Sequence, residues 1–228
     1  MSAESIPKAE EAVARYRRLA ETDAATYLPD LATSLNNLAL DLDRVGSSAQ
    51  ALNCLEEAIG HSRRLAGTAG DTHLPGLATS LHNLACMMRN GGRHEQALAP
   101  AQEAVTIYRQ LAATDPDTHL YFLAGALNTF ATRFAEAGRY EQALPPAREA
   151  VTIFRRLAEA DPDGHLPDLA GALSSLATCL ADADRREQAL APAQEAVDRY
   201  RRLAQSWPDR YDSDARAAAA LLNGLAPS

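Results

Sequence analysis

Two stretches decide the fold: residues 28–45 read LPDLATSLNNLALDLDRV, and residues 93–112 read RHEQALAPAQEAVTIYRQLA. The first has one apolar stripe at helical spacing, formed by Leu31, Leu35, Leu38 and Leu42. The second has a similar stripe, formed by Ala97, Leu98, Ala101, Ala104, Val105, Tyr108 and Leu111. Both stretches predict amphipathic helices, which we name A-type and B-type. Neither helix can bury its stripe alone, so stacked antiparallel pairs are expected to share a core.

The pair of stretches recurs every 46 residues without a gap. One column of histidine or tyrosine shows this step: Tyr27, His73, His119, His165 and Tyr211. A glutamate column keeps the same register: Glu11, Glu57, Glu103, Glu149 and Glu195. A gapless repeat of two helices predicts an all-α solenoid.

The repeat predicts one solenoid domain over residues 1–228. An orphan B-type helix covers 6–20, full pairs cover 27–66, 73–112, 119–158 and 165–204, and a terminal A-type helix covers 212–225. This terminal helix is less polar than the caps of most repeat arrays. Three explanations stay open: an imperfect cap, a piece of a longer array, and a contact between the terminal helices of two copies.

Turn residues mark the helix ends. A residue with positive φ is expected between the A-type and B-type helices, at Gly46, Gly92, Gly138 and Asp184. Asp-Pro-Asp sequences at 115–117 and 161–163 are expected to end B-type helices, and three prolines can occupy the first turn of the next A-type helix: Pro29, Pro75 and Pro167. A further proline column lies inside the B-type helices and is expected to bend them, at Pro100, Pro146 and Pro192.

Composition narrows the class of protein. The chain of 228 residues is 46% hydrophobic and only 5% aromatic, which suits closely packed helices. Its net charge of −8 disfavours nucleic acid as a partner. The sequence has neither a membrane span nor a leader pattern, so we expect a cytoplasmic location without membrane binding. The three cysteines form no CxxC pair, and we expect no metal and no cofactor.

Several residues resemble those of a tetratricopeptide repeat: LNNLA at 35–39, the glycine turn at Gly46, and the small residues Ala51 and Ala58. The sequence LPDLATSLNNLA more closely resembles the long-repeat branch of this family, which includes kinesin light chains and the arrays of many bacterial multidomain regulators. This resemblance covers nearly the whole chain. It implies a right-handed stack of helix pairs whose A-type helices line a concave groove, and a role in binding a protein or peptide.

The resemblance also places the partner-facing positions. These are two neutral, hydrogen-bonding columns on the A-type helices: Asn36, His82, Asn128 and Ser174, and then Asn37, Asn83, Thr129 and Ser175. Side-chain amides both donate and accept hydrogen bonds, so such a row can satisfy the backbone of an extended peptide. The alternative is that the asparagines bond only to neighbouring helices and fix the pitch of the array.

Charged and aromatic candidates complete the predicted site. Arginines near the ends of the A-type helices could meet an acidic segment, at Arg44, Arg89 and Arg133, although such residues are usually solvated. Tyr121 and Phe122 replace the Pro-Asp or Pro-Gly found in other repeats, and one of them could be an exposed anchor. The column that contains His73 is interpreted as a packing position, because equivalent positions in successive units lie too far apart to share a metal ion.

Three functions are weighed. The favoured one is a protein-interaction scaffold that is not an enzyme. The first alternative is self-assembly through the terminal half-repeats, giving a homo-oligomer. The second is a ligand-binding or catalytic solenoid, which is disfavoured because the chain contains no HExxH, GxSxG or glycine-rich phosphate loop.

Overall fold

The structure, a computed structural model, describes residues 5–88 and 93–225, and every element in these ranges is helical. The helices in chain order are α1 (Ser5–Thr22), α2 (Ala24–Arg44), α3 (Ser48–Ala69), α4 (Leu74–Met87), α5 (His94–Thr114), α6 (Pro116–Glu136), α7 (Tyr140–Ala160), α8 (Pro162–Asp182), α9 (Arg186–Ser206) and α10 (Pro208–Leu225). A 3-10 turn, Gly70–His73, precedes α4. Odd-numbered helices are B-type and even-numbered helices are A-type, which confirms the alternation expected from the repeat. Across these ranges, no helix is both long and apolar enough to cross a membrane.

The chain divides into two compact units, residues 1–116 (unit 1) and 117–228 (unit 2). In unit 1, each of α1 to α4 packs on the helix that follows it, and α2 also contacts α4. In unit 2, α7, α8 and α9 each pack on the next helix, and α8 also contacts α10. A single domain over residues 1–228 stays a prediction.

Alanine columns allow the close approach of these helices. Three columns of alanine have no exposed surface at all: Ala39, Ala85, Ala131 and Ala177; Ala51, Ala97, Ala143 and Ala189; and Ala58, Ala104, Ala150 and Ala196. Leucines fill the space between them, and Leu35, Leu81, Leu127 and Leu173 are at most 2% exposed. Burial of these apolar side chains is the main source of stability, at roughly 25 cal/mol per Å² removed from water.

The turns between A-type and B-type helices have the predicted backbone. The φ angles are +80° at Gly46, +72° at Gly138 and +58° at Asp184, while Gly92 lies outside the described residues. The residue after each turn bonds back to the helix, as Arg139 N does to Phe134 O at 2.8 Å. Such a bond, with a left-handed residue before it, satisfies a helix-terminal carbonyl.

The starts of two A-type helices correct one prediction. Pro29 and Pro167 do not lie in the first turn; each is the sixth residue of its helix, α2 and α8. The reason is that an aspartate caps the helix earlier: Asp23 Oδ1 accepts from Thr26 N at 3.2 Å, and Asp161 Oδ1 accepts from Gly164 N at 3.1 Å. Pro75 does lie in the first turn of α4, as predicted.

The start of α10 and the prolines inside the B-type helices can also be compared with the predictions. The terminal helix begins earlier than predicted, at Pro208, because proline is well suited to the first helical position. Helices α5, α7 and α9 continue through Pro100, Pro146 and Pro192 without interruption. The predicted bend at these prolines stays a prediction.

Ion pairs link successive B-type helices within each unit. Each joins an arginine to a glutamate 40 residues later: Arg17 to Glu57 at 2.5 Å, Arg63 to Glu103 at 2.6 Å, and Arg155 to Glu195 at 2.8 Å. Partial burial acts to raise the pKa of Glu57, but the hydrogen bond and charge of Arg17 outweigh it and lower that pKa. The pairs are partly exposed and therefore position the helices more than they stabilise them.

Candidate functional site

A surface cavity of about 410 Å³ lies between α2, α3 and α4 in unit 1. Three of the residues predicted to face a partner line it together: Asn36, Asn37 and Asn83. The two A-type helices form its sides, and the B-type helix α3 forms its floor through Ser62 and Leu65. We name this cavity the α2–α4 groove.

Asn36 belongs to the wall of this groove and not to its open surface. The residue is 8% exposed, and its Nδ2 donates to Ala32 O at 2.9 Å and to Ser80 Oγ at 2.7 Å. Its Oδ1 accepts from Asn83 Nδ2 at 3.2 Å. Asn36 therefore joins α2 to α4, which agrees with the alternative that the asparagines fix the pitch of the array.

The mouth of the groove presents a different set of side chains. Asn37 and Thr33 are exposed on α2, and Leu40, one turn beyond Asn37, is 39% exposed. Asn83 on α4 is half-buried, and its bond to Asn36 uses only its amide nitrogen. The groove can thus offer amide donors and acceptors beside an apolar contact.

The sequence analysis missed Ser62, although its signal was present. The column that contains Ser62 is otherwise aromatic: Tyr16, Tyr108, Phe154 and Tyr200. Tyr108 is 3% exposed and Phe154 is 4% exposed, so both rings lie in the protein. In the repeat that contains Ser62, this small side chain stands where a ring stands elsewhere, and the groove opens above it.

An equivalent groove in unit 2 shows the effect of the ring. It lies between α8 and α10 over α9, with a volume of about 210 Å³, half that of the α2–α4 groove. Six of its lining residues occupy the repeat columns of residues that line the first groove: Ser174, Thr178, Tyr200, Asp214, Ala217 and Leu221. Tyr200 takes the place of Ser62. Burial raises the pKa of its phenol to about 12, and the nearby Asp214, Tyr211 and Asp168 act in the same direction.

A second kind of groove lies on the B-type side of each unit. One, of about 310 Å³, includes Asn53 and Cys54, and the other, of about 570 Å³, includes Pro192 in the column of Cys54. The pair Arg17–Glu57 lines the first, and Arg155–Glu195 lines the second. Each of these grooves is lined by an arginine and a glutamate that already pair with each other, which makes the two grooves weaker candidates for binding than the α2–α4 groove.

Of the remaining residues in the two predicted columns, His82 lies on α4 outside the groove lining, and the others lie on α6 and α8. His82, Asn128, Thr129 and Ser175 are half-buried. His82 Nε2 lies 3.7 Å from Cys86 Sγ on the same helix. The Asn128 Oδ1 and Ser174 Oγ atoms are buried, with no hydrogen-bond partner in the part of the chain that the structure describes.

The predicted arginines differ in their surroundings. Arg44 is exposed and pairs with Asp41 at 2.7 Å. Arg133 is 4% exposed and pairs with Glu136 at 3.2 Å, so its guanidinium is turned into the protein and not toward a partner. Arg89 lies outside the described residues.

The aromatic pair at the start of α6 is partly exposed, at 40% for Tyr121 and 45% for Phe122. The ring of Tyr121 meets Phe154 edge-on, with centroids 6.0 Å apart, and lies 5.5 Å from the ring of His165. Burial raises the pKa of Tyr121, and the neighbouring Asp168 raises it further. His165 therefore packs against an aromatic ring, as expected of that column, and an anchor role for either aromatic stays a prediction.

The repeat register matches a known family. A sequence profile described as Tetratricopeptide repeat matches residues 31–73, 77–117, 123–165 and 169–208. This chain belongs to the tetratricopeptide repeat family. The match covers most of the chain and confirms the resemblance expected from LNNLA and the alanine columns. No curated protein matches the sequence of the chain.

Solved tetratricopeptide structures share its fold. BtubC (BKLC) from P. vanneervenii superposes with a TM-score of 0.67 at 19% identity, covering 99% of this chain and 90% of that one. A putative kinesin light chain from Podosopora anserina with nearly identical TPR-like repeats gives 0.62 at 15% identity, covering 86% and 94%. YrrB, described as a TPR protein with an unusual peptide-binding site, gives 0.53 at 20% identity, covering 86% and 80%. The fold is therefore an all-α, tetratricopeptide-like solenoid, as predicted.

Proposed function

We propose that this tetratricopeptide protein is an interaction scaffold that binds an extended peptide segment of a partner protein in the α2–α4 groove, without catalysing a reaction. The observation that carries the proposal is the groove itself. Two A-type helices and a buried floor bring Asn37, Asn83 and Leu40 around one cavity of about 410 Å³. A concave cavity with a few polar groups on its walls is the usual form of a binding site.

The chemistry of the groove favours a peptide backbone. Amide side chains can donate to a carbonyl and accept from an N–H, so Asn37 and the oxygen of Asn83, which its bond to Asn36 does not use, can satisfy both kinds of backbone group. This matters because a backbone group that loses water without a new bond costs about 1–3 kcal/mol. Leu40 adds an apolar contact for one partner side chain.

The family supports the same function. Tetratricopeptide repeats form scaffolds that fit protein–protein interaction, and YrrB, which shares the fold, is described as having a peptide-binding site. Asn128, Thr129, Ser174 and Ser175 belong to unit 2 and stay predicted partner-facing positions. Arg133 is left out of the proposed surface because it is buried.

A selected peptide tests the proposal. We would select binders from a random linear peptide display library on the intact chain and measure their affinity for three variants. Asn37→Ala and Leu40→Arg change exposed groove residues, whereas Asn53→Ala changes an exposed asparagine of α3 on the B-type side. The proposal expects each groove variant to weaken binding by about fivefold or more, in keeping with the loss of one hydrogen bond or apolar contact. Asn53→Ala should bind like the parent, and the reverse pattern would refute the groove as the site.

A further inference from the structure

We infer that the α2–α4 groove takes the phenol ring of a tyrosine side chain, supplied by the bound peptide, over Ser62. This inference rests on the proposed function, since it names the side chain that the peptide would insert. It begins from the 46-residue register, which relates Ser62 to four aromatic residues on the other B-type helices. In the repeat with serine, the groove has room for a guest ring.

The cavity has the required size and lining. The groove with Ser62 measures about 410 Å³, while the groove with Tyr200 measures about 210 Å³, so the groove is larger where the ring is absent. An apolar cavity of about 150 Å³ is enough to accept benzene. The inner surface of the groove is buried and largely apolar: Ala32 on its side is 5% exposed, and Leu65 and Ser62 on its floor are 5% and 3% exposed.

The chain itself shows how a phenol fits in such a place. In the next repeat, Tyr108 Oη lies 2.9 Å from Thr79 Oγ1. The Thr79 hydroxyl donates its own hydrogen to Pro75 O at 2.9 Å, so it accepts the hydrogen of the tyrosine. Tyr108 is therefore held by a hydrogen bond at the hydroxyl end of its ring.

The groove repeats this acceptor without the tyrosine. Thr33 is the residue 46 positions before Thr79, and it lines the α2–α4 groove. Its hydroxyl likewise donates to the carbonyl four residues earlier, Pro29 O, at 3.0 Å. The oxygen of Thr33 is thus placed to accept a hydrogen bond from a guest phenol, as Thr79 accepts one from Tyr108. This acceptor is why we commit to tyrosine and not to phenylalanine.

Two small probes test the pocket without any peptide. p-Cresol reproduces the tyrosine side chain and toluene reproduces that of phenylalanine, and both can be titrated into the intact chain and followed by amide NMR. We expect p-cresol to bind in the groove about 2- to 10-fold more tightly than toluene, because only p-cresol can donate a hydrogen bond to Thr33. Thr33→Val should remove this preference for p-cresol, since it removes the acceptor. Ser62→Tyr should weaken p-cresol at least tenfold by filling the site, while Ser62→Ala should keep it.

Each result has one meaning. Equal p-cresol binding by the parent and by folded Ser62→Tyr, or no binding by the parent, would overturn the inference even if selected peptides bind the groove. Equal affinity for toluene and p-cresol, unchanged by Thr33→Val, would overturn the choice of tyrosine. If p-cresol binds the parent and not Ser62→Tyr, but no groove-dependent peptide can be selected, the phenol pocket is supported and the proposed function is rejected.

Discussion

Asn36 Nδ2 donates to Ser80 Oγ at 2.7 Å and joins two consecutive A-type helices, α2 and α4, beneath the groove that we propose as the binding site. The adjacent residue Asn37 is exposed on the same helix. Two neighbouring asparagines therefore have separate roles, one in the wall of the groove and one at its mouth.

This separation predicts unequal effects of the two alanine substitutions on stability. Asn36→Ala removes two donated bonds and one accepted bond from a buried site, so it should lower the free energy of unfolding by about 1–3 kcal/mol. Asn37→Ala changes an exposed residue and should stay within about 0.5 kcal/mol of the parent. Urea unfolding followed by circular dichroism measures both, and equal losses would contradict the assignment.

Two glycine substitutions should act with opposite sign. Gly138 has φ of +72°, so Gly138→Ala should cost about 1 kcal/mol through backbone strain alone, since no atom lies within 4 Å of the added methyl group. Gly60 lies inside α3 with equally open surroundings, and Gly60→Ala should stabilise the chain by about 0.5–1 kcal/mol. Thermal unfolding of the two variants and the parent measures both changes in stability. A gain in stability for Gly138→Ala would contradict the turn geometry.

Alkaline pH should destabilise the protein partly through Tyr200. The pKa of its phenol is raised from 10.0 to about 12, chiefly by burial, so the folded state holds the proton that the unfolded state releases. The stability from this group is full below pH 10 and is lost as pH rises to about 12. Tyr200→Phe should therefore lose less stability than the parent over this interval in urea unfolding at stepped pH. Identical pH profiles would count against a phenol that the folded state keeps protonated.

The terminal helix α10 carries polar side chains at two positions that are alanine in every other A-type helix. Arg216 stands in the column of Ala32, Ala78, Ala124 and Ala170, and Asn223 stands in that of Ala39, Ala85, Ala131 and Ala177. The alanines are buried, whereas Arg216 and Asn223 are exposed. This face of α10 therefore presents polar groups where the other A-type helices are packed.

We expect Arg216→Ala combined with Asn223→Ala to increase self-association, because it restores an apolar face suited to another helix. Light scattering over a range of concentrations measures the mass of parent and variant. Self-assembly through the terminal helices stays a prediction, and it would gain support if the parent already formed oligomers that the double substitution weakened.

The fold was predictable because the same apolar spacing and turn residues recur in the repeats. The positive φ values at Gly46 and Asp184 follow from the need to end an A-type helix and turn. The helix starts were less predictable, because an upstream aspartate such as Asp161 can cap the helix before Pro167 is reached. Propensity alone does not tell which of two nearby start signals prevails.

The site was predictable only in part. The columns of Asn36 and Asn37 pointed to the two helices that line the α2–α4 groove, but helical spacing could not tell which asparagine bonds to the next helix. That choice depends on Ser80, 44 residues away, whose hydroxyl lies within reach only after the repeats stack. Ser62 was visible in the sequence as a break in an aromatic column, and its meaning required the volumes of the two equivalent grooves.

The most direct test of the central claim is to map a selected peptide onto the parent chain by amide NMR. Binding in the α2–α4 groove predicts that the largest shift changes fall on Asn37 and Leu40 of α2 and on Asn83 of α4. Largest changes on the B-type side, around Gln50 and Asn53, with the A-type helices unaffected, would contradict the account.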